Sequence, residues 1–358
     1  MYGLTSDDCA LLILYSTFVY GTFGSLRKIF ATKTTLAGFV VILTLCETVV
    51  AFSAWASFGF PRDSMAISDF FLILSGGVFS LFGEYLYFAC CSYLYVSTAT
   101  GASMLVQSTL GVYLTFMVDS TSVISTYLSI GVGLSVLGLG FIIAAESFTS
   151  SDKSRIRNND ESHESEPFVA IAGENELEIK TNAFDLHHLF WLFVACISGL
   201  MMTGLGILSA IEETSDSGTQ NPAQLNLIYQ AGQLLGVPMA VFLFSYLEVL
   251  GHVGYHVVDI STMWEDYRQM ATNELYWTIA MGLFSGTGSL AYYFGILSVP
   301  YSVSYAITTC QVLIATICSV IVFQEFQSME MCSLSSWSLI AGCITYSVAL
   351  YVLLDMAF

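Results

Sequence analysis

Long uninterrupted apolar stretches alternate along the chain with short polar ones. A helix needs about 20 apolar residues to cross a bilayer. Ten stretches fit that length: 10–27, 36–58, 69–94, 98–118, 123–145, 188–211, 223–247, 276–298, 300–323 and 334–355. The pattern predicts an all-α polytopic membrane protein with ten transmembrane helices. Two polar interruptions are longer than the rest. Residues 146–187 contain SSDKSRIRNNDESHESE, polar, charged and poor in aromatics, so most of that segment is expected to be disordered. Residues 248–275 include VLGHVGYHVVDI, which either extends a helix or lies at the interface.

The two sets of five stretches look like copies of one another. A shift of 205 residues sets Gly77, Phe79, Ser80, Gly83, Tyr87 and Ser97 on Gly282, Phe284, Ser285, Gly288, Tyr292 and Ser302. With one residue dropped, Gln107 falls on Gln311 and Val118 on Val322. Residues 1–145 then form a first five-helix repeat, 146–187 a polar central loop, and 188–358 a second repeat. Five is odd, so the second copy enters the membrane upside down. Such 5+5 inverted repeats mark secondary transporters, whose site lies near the midplane between the halves.

Composition agrees. Of 358 residues, 55% are hydrophobic and 10% charged, against about 25% charged in a soluble domain. The net charge of −19 leaves no basic patch to meet phosphates, so nucleic acid is not an expected partner. Arg27, Lys28, Lys33, Lys153, Arg155, Arg157, Lys180 and Arg268 lie in odd-numbered loops, and Arg62 alone lies in an even one. The positive-inside rule therefore puts the odd loops, including 146–187, in the cytoplasm. Nine cysteines without disulfide or zinc spacing read as small packing residues. The first apolar run follows Asp7 and Asp8 instead of a basic segment, so it is expected to be retained rather than cleaved as a signal peptide.

Against this background a charge inside a span stands out. Glu47 and Glu84 each cost roughly 2.5–3.5 kcal/mol to insert at the bilayer centre, so such residues face the bundle interior. Ser80, Glu84, Tyr87 and Cys91 recur at helical spacing and make one polar stripe. Its counterpart in the other half is Ser285, Ser289 and Tyr292. The expected substrate contacts are Glu84, Tyr87, Ser80, Gln107, Ser289, Tyr292 and Gln311, with Glu84 and Glu47 as proton-coupling groups. Each is also open to a structural reading, as a hydroxyl- or amide-bonded link between helices. Gln230 and Gln233 are weaker candidates, beside Pro238, which is expected to kink its helix. Gly21, Gly24, Gly204, Gly206, Gly282 and Gly286 let helices pack closely and slide. His252 and His256 have i,i+4 spacing but no HExxH pattern, so no metal site is expected. No Walker, GxSxG or triad pattern calls for an enzyme or a cofactor.

The glycine-rich first helix FVYGTFGSLRK, the ninth-span ending IATICSVIVFQEF and the stretch SLFGEYLYFACCSYLYVSTATGASMLVQSTLGVYLTFMVD together resemble the drug/metabolite transporter superfamily, EamA-like. Within it, the chain is most similar to the ureide permease-like and glucose/rhamnose-type sugar transporter branches. The resemblance implies a secondary carrier for a small polar metabolite such as a nucleobase, ureide or sugar, working by alternating access in a lipid bilayer. A homodimer is compatible with it. Two alternatives stay open: a divalent-cation carrier of the magnesium type, and a non-transporting receptor or scaffold.

Overall fold

In lipid, a backbone N–H or C=O has no water to bond, so a single apolar segment closes its own hydrogen bonds as a helix. The computed structural model describes residues 4–30, 36–58, 67–118, 126–159, 186–213, 221–249, 268, 272–299, 301–322 and 333–355, and among these the structure is almost wholly helical. The helices are α1 (Ser6–Phe30), α2 (Leu36–Phe58), α3 (Ile67–Tyr93), α4 (Val96–Val118), α5 (Thr126–Asn159) and α6 (Leu186–Glu213). They continue with α7 (Pro222–Val249), α8 (Thr272–Gly295), α9 (Tyr301–Thr308), α10 (Gln311–Ile321) and α11 (Leu334–Leu354).

Among the described residues, five stretches are long and apolar enough to cross a membrane: Gly38–Phe58, Phe70–Cys91, Thr126–Thr149, Pro222–Phe242 and Leu334–Leu354. They make this a helical membrane protein. Large apolar side chains such as Phe242 and Tyr351 stand more than 70% exposed on its outside, as a lipid-facing surface requires. The helix starts carry local signals. Thr5 and Asp8 form a reciprocal cap on α1: the Thr5 N–H and hydroxyl donate to Asp8 Oδ2 at 2.9 and 2.8 Å, and the Asp8 N–H donates to Thr5 Oγ1 at 3.2 Å. Ser333 caps α11 by accepting the Ser336 N–H at 3.2 Å.

Two features depart from the expected element limits. The boundary at 145 falls inside α5, which continues through Asn159, so 146–159 is helical. Just past that boundary lies Glu146, a buried carboxylate that takes a bond from the Thr98 hydroxyl and from the Tyr95 N–H at 3.3 Å. It thereby caps the start of α4 from a neighbouring helix. The ninth stretch is broken at Thr309–Cys310. There the Cys310, Val312 and Leu313 N–H groups make tighter i→i−3 bonds of 3.0–3.2 Å, and the Thr309 hydroxyl bonds back to the Ala306 carbonyl. α7 runs as one helix through Pro238, as the single stretch 223–247 led one to expect. The rest of the central loop, 160–185, and most of 248–275, with His252 and His256, lie outside the described residues.

α3 packs on α6 and α7, and α8 packs on α1 and α2. α4 packs on α6, and α9 and α10 on α1 and α4; α2 meets α7, and α5 meets α11. Glycines set the closest approaches. A Cβ on Gly77 of α3 would sit 2.1 Å from the Tyr229 carbonyl oxygen of α7, and one on Gly282 of α8 would sit 2.6 Å from Cys46 Cβ of α2. Two apolar clusters fill the interior, one around Phe23, Phe39 and Phe88, the other around Ile13, Tyr229, Tyr293 and Ile307.

Candidate functional site

A polar residue on an otherwise apolar helix must find either a partner on another helix or a cavity. Here it finds both. A cavity of about 110 Å³ opens between the two apolar clusters, at the meeting of α1, α3, α4, α6, α7, α8, α9 and α10. That is room for a few waters or a small solute. All seven expected substrate contacts line it: Ser80, Glu84 and Tyr87 from α3, Gln107 from α4, Ser289 and Tyr292 from α8, and Gln311 from α10. The sequence stripes therefore converge on one space.

Among the described residues, Glu84 is the single charged group in that lining. Its Oε1 accepts from Gln233 Nε2 at 2.7 Å and from the Ser80 hydroxyl at 3.4 Å. Gln233 also donates to the Tyr229 hydroxyl at 3.3 Å, so α7 supplies a clamp that holds the carboxyl group against α3. Across the cavity the Ser289 hydroxyl donates to Asn226 Oδ1 at 2.9 Å, and Gln230 Nε2 approaches Ser289 Oγ at 3.4 Å. On the α4 side the Tyr87 hydroxyl pairs with Thr100 Oγ1 at 2.8 Å.

Glu47 is placed differently. It lies buried at the α2–α8 contact, outside the cavity lining, and accepts a hydrogen bond from Ser285, which does line the cavity. Its Oε2 has no partner among the described residues. The expected glycines divide in the same way. Gly21 meets Ile314 and the Gln311 carbonyl of α10, while Gly282 and Gly286 meet Cys46, Val50 and Glu47 of α2. Gly24, Gly204 and Gly206 fall in α1 and α6, with surroundings outside the described residues.

Hydropathy and repeat matching pass over the α7 face of Asn226 and Tyr229, and Tyr20 of α1. Asn226, Tyr229, Gln230 and Gln233 have the same i, i+3/i+4, i+7 spacing that marks Ser80, Glu84 and Tyr87, so the same criterion finds them. Glu146 escapes notice in the sequence because the fifth apolar stretch ends one residue before it.

No family model matches the sequence, and no curated protein matches it. Sixteen chains of known structure do match in fold. One, described only as "Crystal structure of protein", aligns over 99% of both chains at 11% identity and a TM-score of 0.58. At that identity the likeness concerns the fold alone.

Proposed function

We propose that the chain is a secondary carrier that moves a small polar metabolite by alternating access, with Glu84 as solute contact and proton-coupling group. The observation that carries this reading is the convergence of seven membrane-embedded polar side chains, drawn from both halves of the chain, on one interior cavity. A scaffold has no need of such a space. Burying a carboxylate, two amides and several hydroxyls around a void costs more than apolar packing would.

The inverted 5+5 arrangement belongs to the same proposal, and the packing supports it. Exchanging each helix for its counterpart five spans away maps α3 on α6 to α8 on α1, and α3 on α7 to α8 on α2. The same exchange maps α4 on α6 to the broken ninth span on α1, while α2 on α7 and α5 on α11 map onto themselves. Equivalent glycines do equivalent work: Gly83 touches Ser198 and Met202 of α6, and Gly288 touches Val19 of α1. The carboxylates break the symmetry. At the α3–α7 contact the acid, Glu84, is on α3, whereas at the α2–α8 contact the acid, Glu47, is on α2.

In this reading the carrier belongs with the drug/metabolite transporter superfamily, and the loop following α5 faces the cytoplasm. A hard divalent cation fits poorly, since it takes six or more oxygen ligands, ordinarily with several carboxylates, and Glu84 is the only one in the described lining. The test is uptake into proteoliposomes of labelled nucleobases, ureides, sugars and amines, with and without a pH gradient. A saturable flux that the gradient drives, and that Glu84→Gln uncouples, is the expected result. Flux of no solute above protein-free vesicles would leave the scaffold reading in its place.

A further inference from the structure

The chemistry of the cavity wall specifies more than a polar solute. Of the residues lining it, seven are aromatic: Tyr20, Phe23, Tyr87, Phe88, Tyr229, Tyr292 and Tyr293. Among the described residues the wall holds one carboxylate and no lysine, arginine or histidine. Ring faces carry negative potential and attract cations, more strongly when water is excluded.

The hydrogen-bond inventory points the same way. Glu84 Oε1 accepts from two donors, Gln233 and Ser80, and among the described residues no hydrogen bond engages its Oε2. Gln107, also in the wall, has its carbonyl Oε1 buried without a donor. Behind the wall, Gln230 and Gln233, each about 1% exposed, likewise keep unpartnered carbonyl oxygens. Among the described residues, three amide carbonyls around the cavity thus lack a donor, against one amide N–H group, Asn226 Nδ2, that lacks an acceptor. A buried acceptor without a donor is costly, so the ligand that suits this space brings N–H groups with it.

An anionic ligand would meet no cationic side chain among the described lining residues. The break between α9 and α10 turns a helix start toward this region, yet the Cys310, Val312 and Leu313 N–H groups there are already bonded within the chain. Those donors are not free to cradle a carboxylate or phosphate.

We propose that the cavity selects a small organic cation, a protonated amine on an apolar or aromatic body, with the ammonium on Glu84 and Gln107 and the body against the aromatic rings. This rests on the carrier reading and narrows its substrate class. Equilibrium binding to the full chain in detergent micelles tests it with three probes of nearly equal shape: phenethylamine, phenethyl alcohol and phenylacetate. The amine should bind saturably and at least about tenfold tighter than the alcohol, with phenylacetate weakest. Glu84→Gln should erase the preference, and Tyr87→Leu, which keeps the carboxylate, should weaken the amine while leaving its rank unchanged. Equal binding of alcohol and amine by the wild-type protein, or no saturable amine binding, overturns the proposal whatever the variants do. Amine binding without flux in vesicles would sink the carrier reading and leave this one standing. Flux of a neutral solute without amine binding would do the reverse.

Discussion

Adding one methyl group at Gly77 should push α3 and α7 apart and loosen the site without altering any residue that lines it. The Cβ of an alanine there would lie 2.1 Å from the Tyr229 carbonyl oxygen, 2.9 Å from the Gln233 N–H nitrogen and 3.0 Å from Gly232 Cα. All three are backbone atoms of α7 and have no rotamer to escape into. Ordinary contact begins at 3.4 Å, so α3 and α7 must separate locally by more than 1 Å. The Glu84–Gln233 bond, now 2.7 Å, then stretches out of hydrogen-bonding range. Overpacking of this kind costs about 1–3 kcal/mol, and a lost bond to a charged group about 1.5–3 kcal/mol. The two overlap, which puts Gly77→Ala at about 2–4 kcal/mol of destabilisation. Thermal unfolding in detergent reads it directly, with Gly133→Ala as control. An added Cβ at Gly133 meets nothing within 4 Å, so that variant should be neutral or gain up to about 1 kcal/mol from helix propensity. If Gly77→Ala melts at or above the control, the close α3–α7 approach is wrong, and with it the clamp on Glu84.

Three further outcomes follow from the same geometry. Glu146→Ala strands the Tyr95 N–H and the Thr98 hydroxyl at the start of α4 and should cost about 2–4 kcal/mol in a melting experiment, most of it recovered by Glu146→Gln, which keeps an acceptor. Tyr87→Phe removes the bond to Thr100 and should lower stability by about 1 kcal/mol while leaving the ring in the wall, so the melting temperature should fall more than amine affinity does. The Thr5 backbone N–H and then its hydroxyl hold Asp8 below its ordinary value of 3.8. A depressed group contributes stability above its unfolded value and loses it as pH falls through the folded one, so exchange protection in the first turn of α1 should persist above 3.8 and drop below it. Asp8→Asn should abolish that pH dependence.

Much of this was legible in the sequence because a membrane leaves few places for polar side chains. Ser80, Glu84 and Tyr87 on one helical stripe, and Gln107 and Gln311 at matching repeat positions, had to face protein rather than lipid, and one cavity receives them all. What stayed hidden depended on contacts across the chain. Gln233 meets Glu84 across 149 residues, and nothing local to either marks the pair. α5 outlasts its apolar run, and Glu146, one residue beyond that run, has a partner in the α3–α4 turn that hydropathy alone does not mark. The break in the ninth span falls at Thr309–Cys310, without glycine or proline to announce it, where a threonine hydroxyl competes for a backbone carbonyl.

Alternating access requires that one residue in the cavity wall be reachable from each side of the membrane in turn. Ser289, 3% exposed and in that wall, is the position to ask. In a background with the native cysteines replaced, Ser289→Cys in sealed vesicles should react with a membrane-impermeant thiol reagent added from either face, and bound solute should slow both reactions. Reaction from one face only, or from neither, would contradict the carrier account.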